Sequence, residues 1–140
     1  MRTRFRNEQG FTLVELLVIV LIVGILAAIA LPAFLDQRVK SQDAEAKWMA
    51  AVTAQALLVY HQDHDTFSGA GAEELGKIEP TVRDARGLDV TGGRDTFRVA
   101  VASAAGSSGG GPFVVEYRPS GSERTCDVPG QGACPDSGTW

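Results

Sequence analysis

Hydrophobic and polar positions are spread unevenly along this chain. Residues 11–35 read FTLVELLVIVLIVGILAAIALPAFL, an apolar run interrupted by one acid, Glu15, and by no basic residue. About 20 apolar residues rising ~1.5 Å each cover the ~30 Å hydrocarbon core of a bilayer, so the run predicts a helix able to cross a membrane. From Asp36 to about Gln62 the pattern changes. Val39, Ala46, Met49, Val52, Ala56, Val59 and Tyr60 recur at a spacing near 3.6, which predicts an amphipathic helix with one buried face. No Gly or Pro lies between Pro32 and Gly69, so the two stretches read as a single helix of about 50 residues, a length typical of spans, coiled coils and filament cores. Trp48, Met49, Leu57, Leu58 and Tyr60 are expected to pack on a sheet.

Beyond the helix the periodicity shortens. Residues 69–95 are rich in turn formers, with room for a short helical turn over Glu73–Lys77 that Pro80 would stop. Thr96–Ala102 alternates as a strand, Pro112–Arg118 (PFVVEYR) contains a second, and Glu123–Val128 a third. The intervening AAGSSGGG reads as a flexible hairpin connection with no specific role, and it lacks the Gly-Lys-Ser/Thr of a phosphate loop. The expected fold is α+β: a long N-terminal helix, half membrane-embedded and half amphipathic, packed on a small antiparallel sheet of three or four strands.

Charge refines this picture. The chain has 140 residues, 13 basic against 17 acidic, for a net charge of −4, which disfavours a nucleic-acid partner because such binding draws on excess Lys and Arg. Arg2, Arg4 and Arg6 precede the apolar run while mixed charges follow it (Asp36, Arg38, Lys40, Asp43), so the positive-inside bias keeps residues 1–10 cytoplasmic and sends the C-terminal part outward. Three readings then compete. The run is a plain signal anchor, or a secretory signal peptide cut after Ala28-Ile29-Ala30 to release a soluble binding domain starting at Leu31, or a retained functional helix. Glu15 favours the last, because a carboxylate inside a membrane segment costs roughly 2–3 kcal/mol or more and has no use in a segment destined for degradation.

Gly10-Phe11-Thr12-Leu13-Val14-Glu15, behind a short basic leader and ahead of an apolar helix with Gly24 and Pro32, resembles the N-terminus of type IV pilins and of the pseudopilins of type II secretion and competence systems. The resemblance is specific over residues 1–35 and only compatible beyond them. It implies that residues 1–10 are a cytoplasmic leader removed by a prepilin peptidase between Gly10 and Phe11, that Phe11 is then N-methylated, that 11–35 is a transmembrane and later filament-core helix, and that 36–140 is a globular head. It also implies that the new amine of Phe11 pairs with Glu15 of a neighbouring subunit during assembly, and that the Gly24–Pro32 stretch can lose helicity in the filament. Such a cut leaves the apolar helix attached and the product stored in the bilayer, whereas a cut after Ala30 would free a soluble domain.

On this resemblance the chain is expected to be the major subunit of a type IV pilus-like filament, no enzyme, with other copies of itself, the peptidase, a membrane platform protein and an assembly ATPase as partners. A minor pilin or pseudopilin that primes or caps a filament is the nearest alternative. The precursor would sit single-pass in the inner or cytoplasmic membrane with its C-terminus outside, and the filament would be extracellular or periplasmic.

Cys126 and Cys134, in the part expected outside the cytoplasm, form an even pair of the kind that becomes a disulfide there. Within the resembled family a C-terminal disulfide loop favours a pilin over the major type II pseudopilin, though this loop is shorter than many. His61 and His64 with Asp63 and Asp65 suggest a metal site, but Phe67 falls where a calcium loop needs a ligand and no acid closes the loop, so they read as a polar helix end. No cofactor is expected, and neither G-x-S-x-G nor H-E-x-x-H occurs.

Overall fold

A computed structural model describes residues 10–140; Arg2, Arg4, Arg6 and Glu8, in the segment expected to be a leader, lie outside the described residues. The chain divides into two compact units, one up to Leu35 and one from Asp36 onward. Helix α1 spans Leu13–His64, with Gly24 and Pro32 both inside it. Pro32 has no amide to donate to the carbonyl four residues back, so α1 is continuous there with one backbone bond fewer. At its far end Asp65 takes a positive φ of 54° and its N–H donates to the His61 carbonyl at 2.9 Å, the closing bond of a left-handed helix cap usually given to glycine.

In the second unit α1 buries Ala46, Met49, Ala50, Thr53, Ala54, Ala56, Leu57 and Tyr60. Four strands follow in antiparallel order: β1 (Asp89–Gly92), β2 (Phe97–Val101), β3 (Phe113–Arg118) and β4 (Gly121–Cys126). Phe97, Val99 and Val101 of β2 stand opposite Tyr117, Val115 and Phe113 of β3, so one face of the sheet is apolar and closes the core with α1. Alternation puts Arg98 and Glu116 on the other face, where Asp89, Arg98, Glu116 and Arg118 form a chain of ion pairs at 2.9–3.6 Å. These pairs are largely exposed and each contributes at most about 1 kcal/mol. Helix α2 (Ala72–Ile78) and a 3-10 turn (Pro80–Asp84) add the fully buried Leu75 and Val82 to the core.

Several expectations change. Strand β1 lies in the stretch read as turns: Val90 and Thr91 are β-formers, but at four residues ending in Gly92 the strand is too short to show a period. Pro80 does not merely stop α2. It opens the 3-10 turn, where a proline's missing N–H costs nothing. Trp48, Leu58 and Val59, expected in the core, are 54%, 40% and 44% exposed. The buried stripe follows Ala46, Ala50, Ala54 and Leu57, which leaves those three on the solvent side of α1.

Candidate functional site

The start of α1 carries the residues singled out by the sequence. Gly10 and Phe11 precede the helix in exposed, non-helical backbone, with Phe11 72% exposed. Thr12 is the cap: its carbonyl accepts from Leu16 N at 3.2 Å and its Oγ1 accepts from Glu15 N at 3.2 Å. An α-helix leaves its first amides without internal partners, and a threonine hydroxyl at this position takes one of them. Glu15 thereby sits in the first turn, where the positive end of the helix dipole favours a carboxylate. Thr12-Leu13-Val14-Glu15 is the sequence of a capping box, a signal overlooked when Glu15 is read only as an isolated acid.

From Leu13 to Leu35 every large apolar side chain of this unit is exposed, from 44% at Val18 to 81% at Leu13. The segment is long and apolar enough to cross a membrane by length and composition. An apolar surface of this extent has to be covered by lipid or by protein.

A second constellation was missed altogether. Asp43, fully buried on α1, accepts two backbone amides on the same oxygen, Oδ2: Gly110 N at 2.9 Å and Ala133 N at 2.8 Å. Oδ1 is buried without a hydrogen-bond partner. The carboxylate thus joins the glycine-rich connection between β2 and β3 to the loop closed by Cys126–Cys134, whose Cα atoms are 5.8 Å apart. A side chain on Gly109 or Gly132 would collide with the Asp43 carboxylate, so these glycines, the first of them in the connection expected to be merely flexible, are what let the acid reach the backbone. One turn along, Lys47 donates to the Ala133 carbonyl and lies 5.3 Å and 5.7 Å from the ring centres of Phe113 and Trp140. Trp140 in turn donates its indole N–H to the Thr125 carbonyl at 2.9 Å. The sequence signal was an acid at a buried-face position, three residues before Ala46.

His64 stacks on Tyr60 at 4.0 Å between ring centres, with Nδ1 3.0 Å from the Tyr60 carbonyl, and His61 packs against Phe67. Both rings are engaged in finishing the helix. Among the described residues, no three His, Cys, Asp or Glu side chains converge as a metal site would need.

Residues 5–31 match the family model described as the prokaryotic N-terminal methylation motif. The chain is 35% identical over 102 residues to the fimbrial protein EcpC of Eikenella corrodens, covering 73% of this chain and 59% of that one. It is 39% identical over 106 residues to fimbrial protein Q of Moraxella bovis, covering 76% and 62%. Over 57 residues it is 44% identical to the type IV major pilin protein PilE1 of Neisseria gonorrhoeae, covering 41% and 34%. The chain therefore spans from about a third to about three fifths of the length of these relatives. No solved structure matches it.

Proposed function

We propose that this chain, a member of the type IV pilin-like proteins by its N-terminal methylation motif, is the major structural subunit of a type IV pilus-like filament and not an enzyme. The observation that carries the reading is the wholly exposed apolar stretch of α1 headed by a single acid at Glu15. A prepilin peptidase cuts between Gly10 and Phe11 and the new terminus is N-methylated. The helix stays in the inner or cytoplasmic membrane with the head outside until a platform protein and an assembly ATPase drive it into an extracellular or periplasmic filament. There it exchanges lipid for helices of other copies, and its apolar surface never faces water. Glu15 pairs with the Phe11 amine of a neighbour. A charge half made in an apolar core is costly, so the pair rewards one register over random aggregation. Gly24 and Pro32 mark where α1 can loosen in the filament.

Mass spectrometry of the mature chain tests this directly. N-methyl-Phe11 is expected, and a terminus at Leu31 would replace this reading with a secreted soluble domain. Sheared surface filaments composed mainly of this chain are expected of a major subunit; trace amounts would make it a minor pilin or pseudopilin.

A further inference from the structure

We propose that Thr12 is the positioning residue for Glu15: as N-cap of α1 it fixes where the helix begins and so aims the assembly carboxylate. The inference rests on the filament reading above and adds to it a residue with its own testable role.

The geometry is local. Thr12 Oγ1 accepts from the backbone N–H of Glu15 itself, at 3.2 Å, and the Thr12 carbonyl accepts from Leu16 N at the same distance. The residue whose side chain matters is thus held helical by one bond from the cap hydroxyl, and the next residue by one from the cap carbonyl. In water a lost cap is replaced by solvent. In the filament core proposed above, solvent is scarce around the first turn, so an orphan amide there costs more than at a helix end in water. Without the hydroxyl, the amide of Glu15 has no internal partner, the first turn frays, and the direction of the carboxylate is no longer set. The cut between Gly10 and Phe11 leaves only Phe11 ahead of the cap. The new ammonium then lies outside the helix, whose positive end repels it, while the same end favours the acid. A capped helix therefore presents cation and anion as two separate features one turn apart, available to two different neighbours.

The hydroxyl is the operative group, so Thr12→Ser should behave as the wild type and Thr12→Val, matched in shape, should not. Full-length variants are expressed in the native host, and filament yield is normalised to the amount of cleaved subunit. Thr12→Val is expected to lower that yield by about 2- to 30-fold, the range covered by loss of one cap bond. Adding Thr12→Val to Glu15→Ala should lower it no further, because Thr12 acts through Glu15. In parallel, amide exchange at Glu15 is followed in detergent-solubilised precursor and processed chain, so the readout survives a cleavage defect. Faster Glu15 exchange in Thr12→Val, restored by Thr12→Ser, is the expected result. Unchanged exchange or unchanged yield in Thr12→Val, or an additive loss in the double variant, would overturn the proposal. A wild-type chain that forms no filament yet shows Thr12-dependent protection of Glu15 would instead overturn the filament reading and leave the cap standing.

Discussion

Replacing Asp43 tests whether its carboxylate organises the loops of residues 36–140. The carboxylate accepts two backbone amides, the buried Gly110 N at 2.9 Å and the half-buried Ala133 N at 2.8 Å, from segments 67 and 90 residues away. Hydrogen bonds to a charged acceptor contribute about 1.5–3 kcal/mol each, and removal of the acceptor strands two donors. Against this stands the cost of holding a carboxylate in the interior with Oδ1 unpartnered, about 1–3 kcal/mol that is recovered when the group is deleted. Asp43→Ala should therefore destabilise the head by a net of about 2–4 kcal/mol. Asp43→Asn is the sharper probe. Its amide oxygen can occupy the Oδ2 position and accept both bonds, while its NH2 takes the place of the orphan Oδ1, close to where Ser103 Oγ and Gly109 converge. That exchange should cost under about 1 kcal/mol, because lost charge assistance is offset by removal of a buried charge. Thermal unfolding of the full chain in detergent micelles, followed by near-ultraviolet circular dichroism, reads the stability. Amide exchange at Gly110 and Ala133 reads the two bonds. An alanine variant within about 1 kcal/mol of wild type, or an asparagine variant as unstable as the alanine one, would refute the account.

Three further outcomes are expected. Reducing Cys126–Cys134, or replacing both with serine, should cost about 2–3 kcal/mol for a nine-residue ring, yet leave the Ala133 amide protected because Asp43 still holds it; equal loss of protection throughout the loop would contradict this. Asp65→Gly should raise stability by up to about 1 kcal/mol by relieving the positive φ at the end of α1, and a fall in midpoint temperature would show that Asp65 contributes more than its backbone. Glu15→Ala should leave leader cleavage intact, judged by mass spectrometry, and reduce filament yield; normal yield would remove the pairing role assigned to Glu15.

The elements that announce themselves over many residues were legible. The long helix shows in its apolar run and in the 3.6 spacing beyond it, and β2, β3 and β4 lie within a residue or two of their sequence-based ranges. The Cys126–Cys134 pairing was equally readable, since two cysteines allow one intramolecular bond. What escaped was whatever depends on distant partners. Trp48 and Leu58 share a helix with the core residues, and spacing alone cannot say which of two mildly apolar faces a sheet will cover once Ala46, Ala50 and Ala54 offer it a closer approach. In the sequence Asp43 is one of several charges flanking the apolar run. Its role arises only when Gly110 and Ala133 are brought to it by the sheet. Thr12 is a different case: its partner is three residues away and its motif stands in the sequence.

Two of the acids on α1, Glu15 and Asp43, show how context, not residue type, decides what a carboxylate does. Glu15 is exposed in the single chain and its backbone amide, not its carboxylate, is held by Thr12. Among the described residues no cation pairs with its carboxylate, which fits the assembly role proposed for it. Asp43 commits one oxygen to two amides of its own chain and is sealed from solvent. It can take no outside partner without unfolding the loops it holds. An aspartate suits that task because its short side chain keeps the carboxylate close to the helix, near enough to glycine backbone that Gly109 and Gly132 have no space for a Cβ. A glutamate in its place would carry the charge one methylene further into the same glycines, and overpacking of that kind costs about 1–3 kcal/mol. Asp43→Glu should therefore resemble Asp43→Ala in stability while retaining full charge, an outcome that separates fit from electrostatics. If the glutamate variant instead matched wild type, charge alone would be holding the loops and the close fit of the glycines would be incidental.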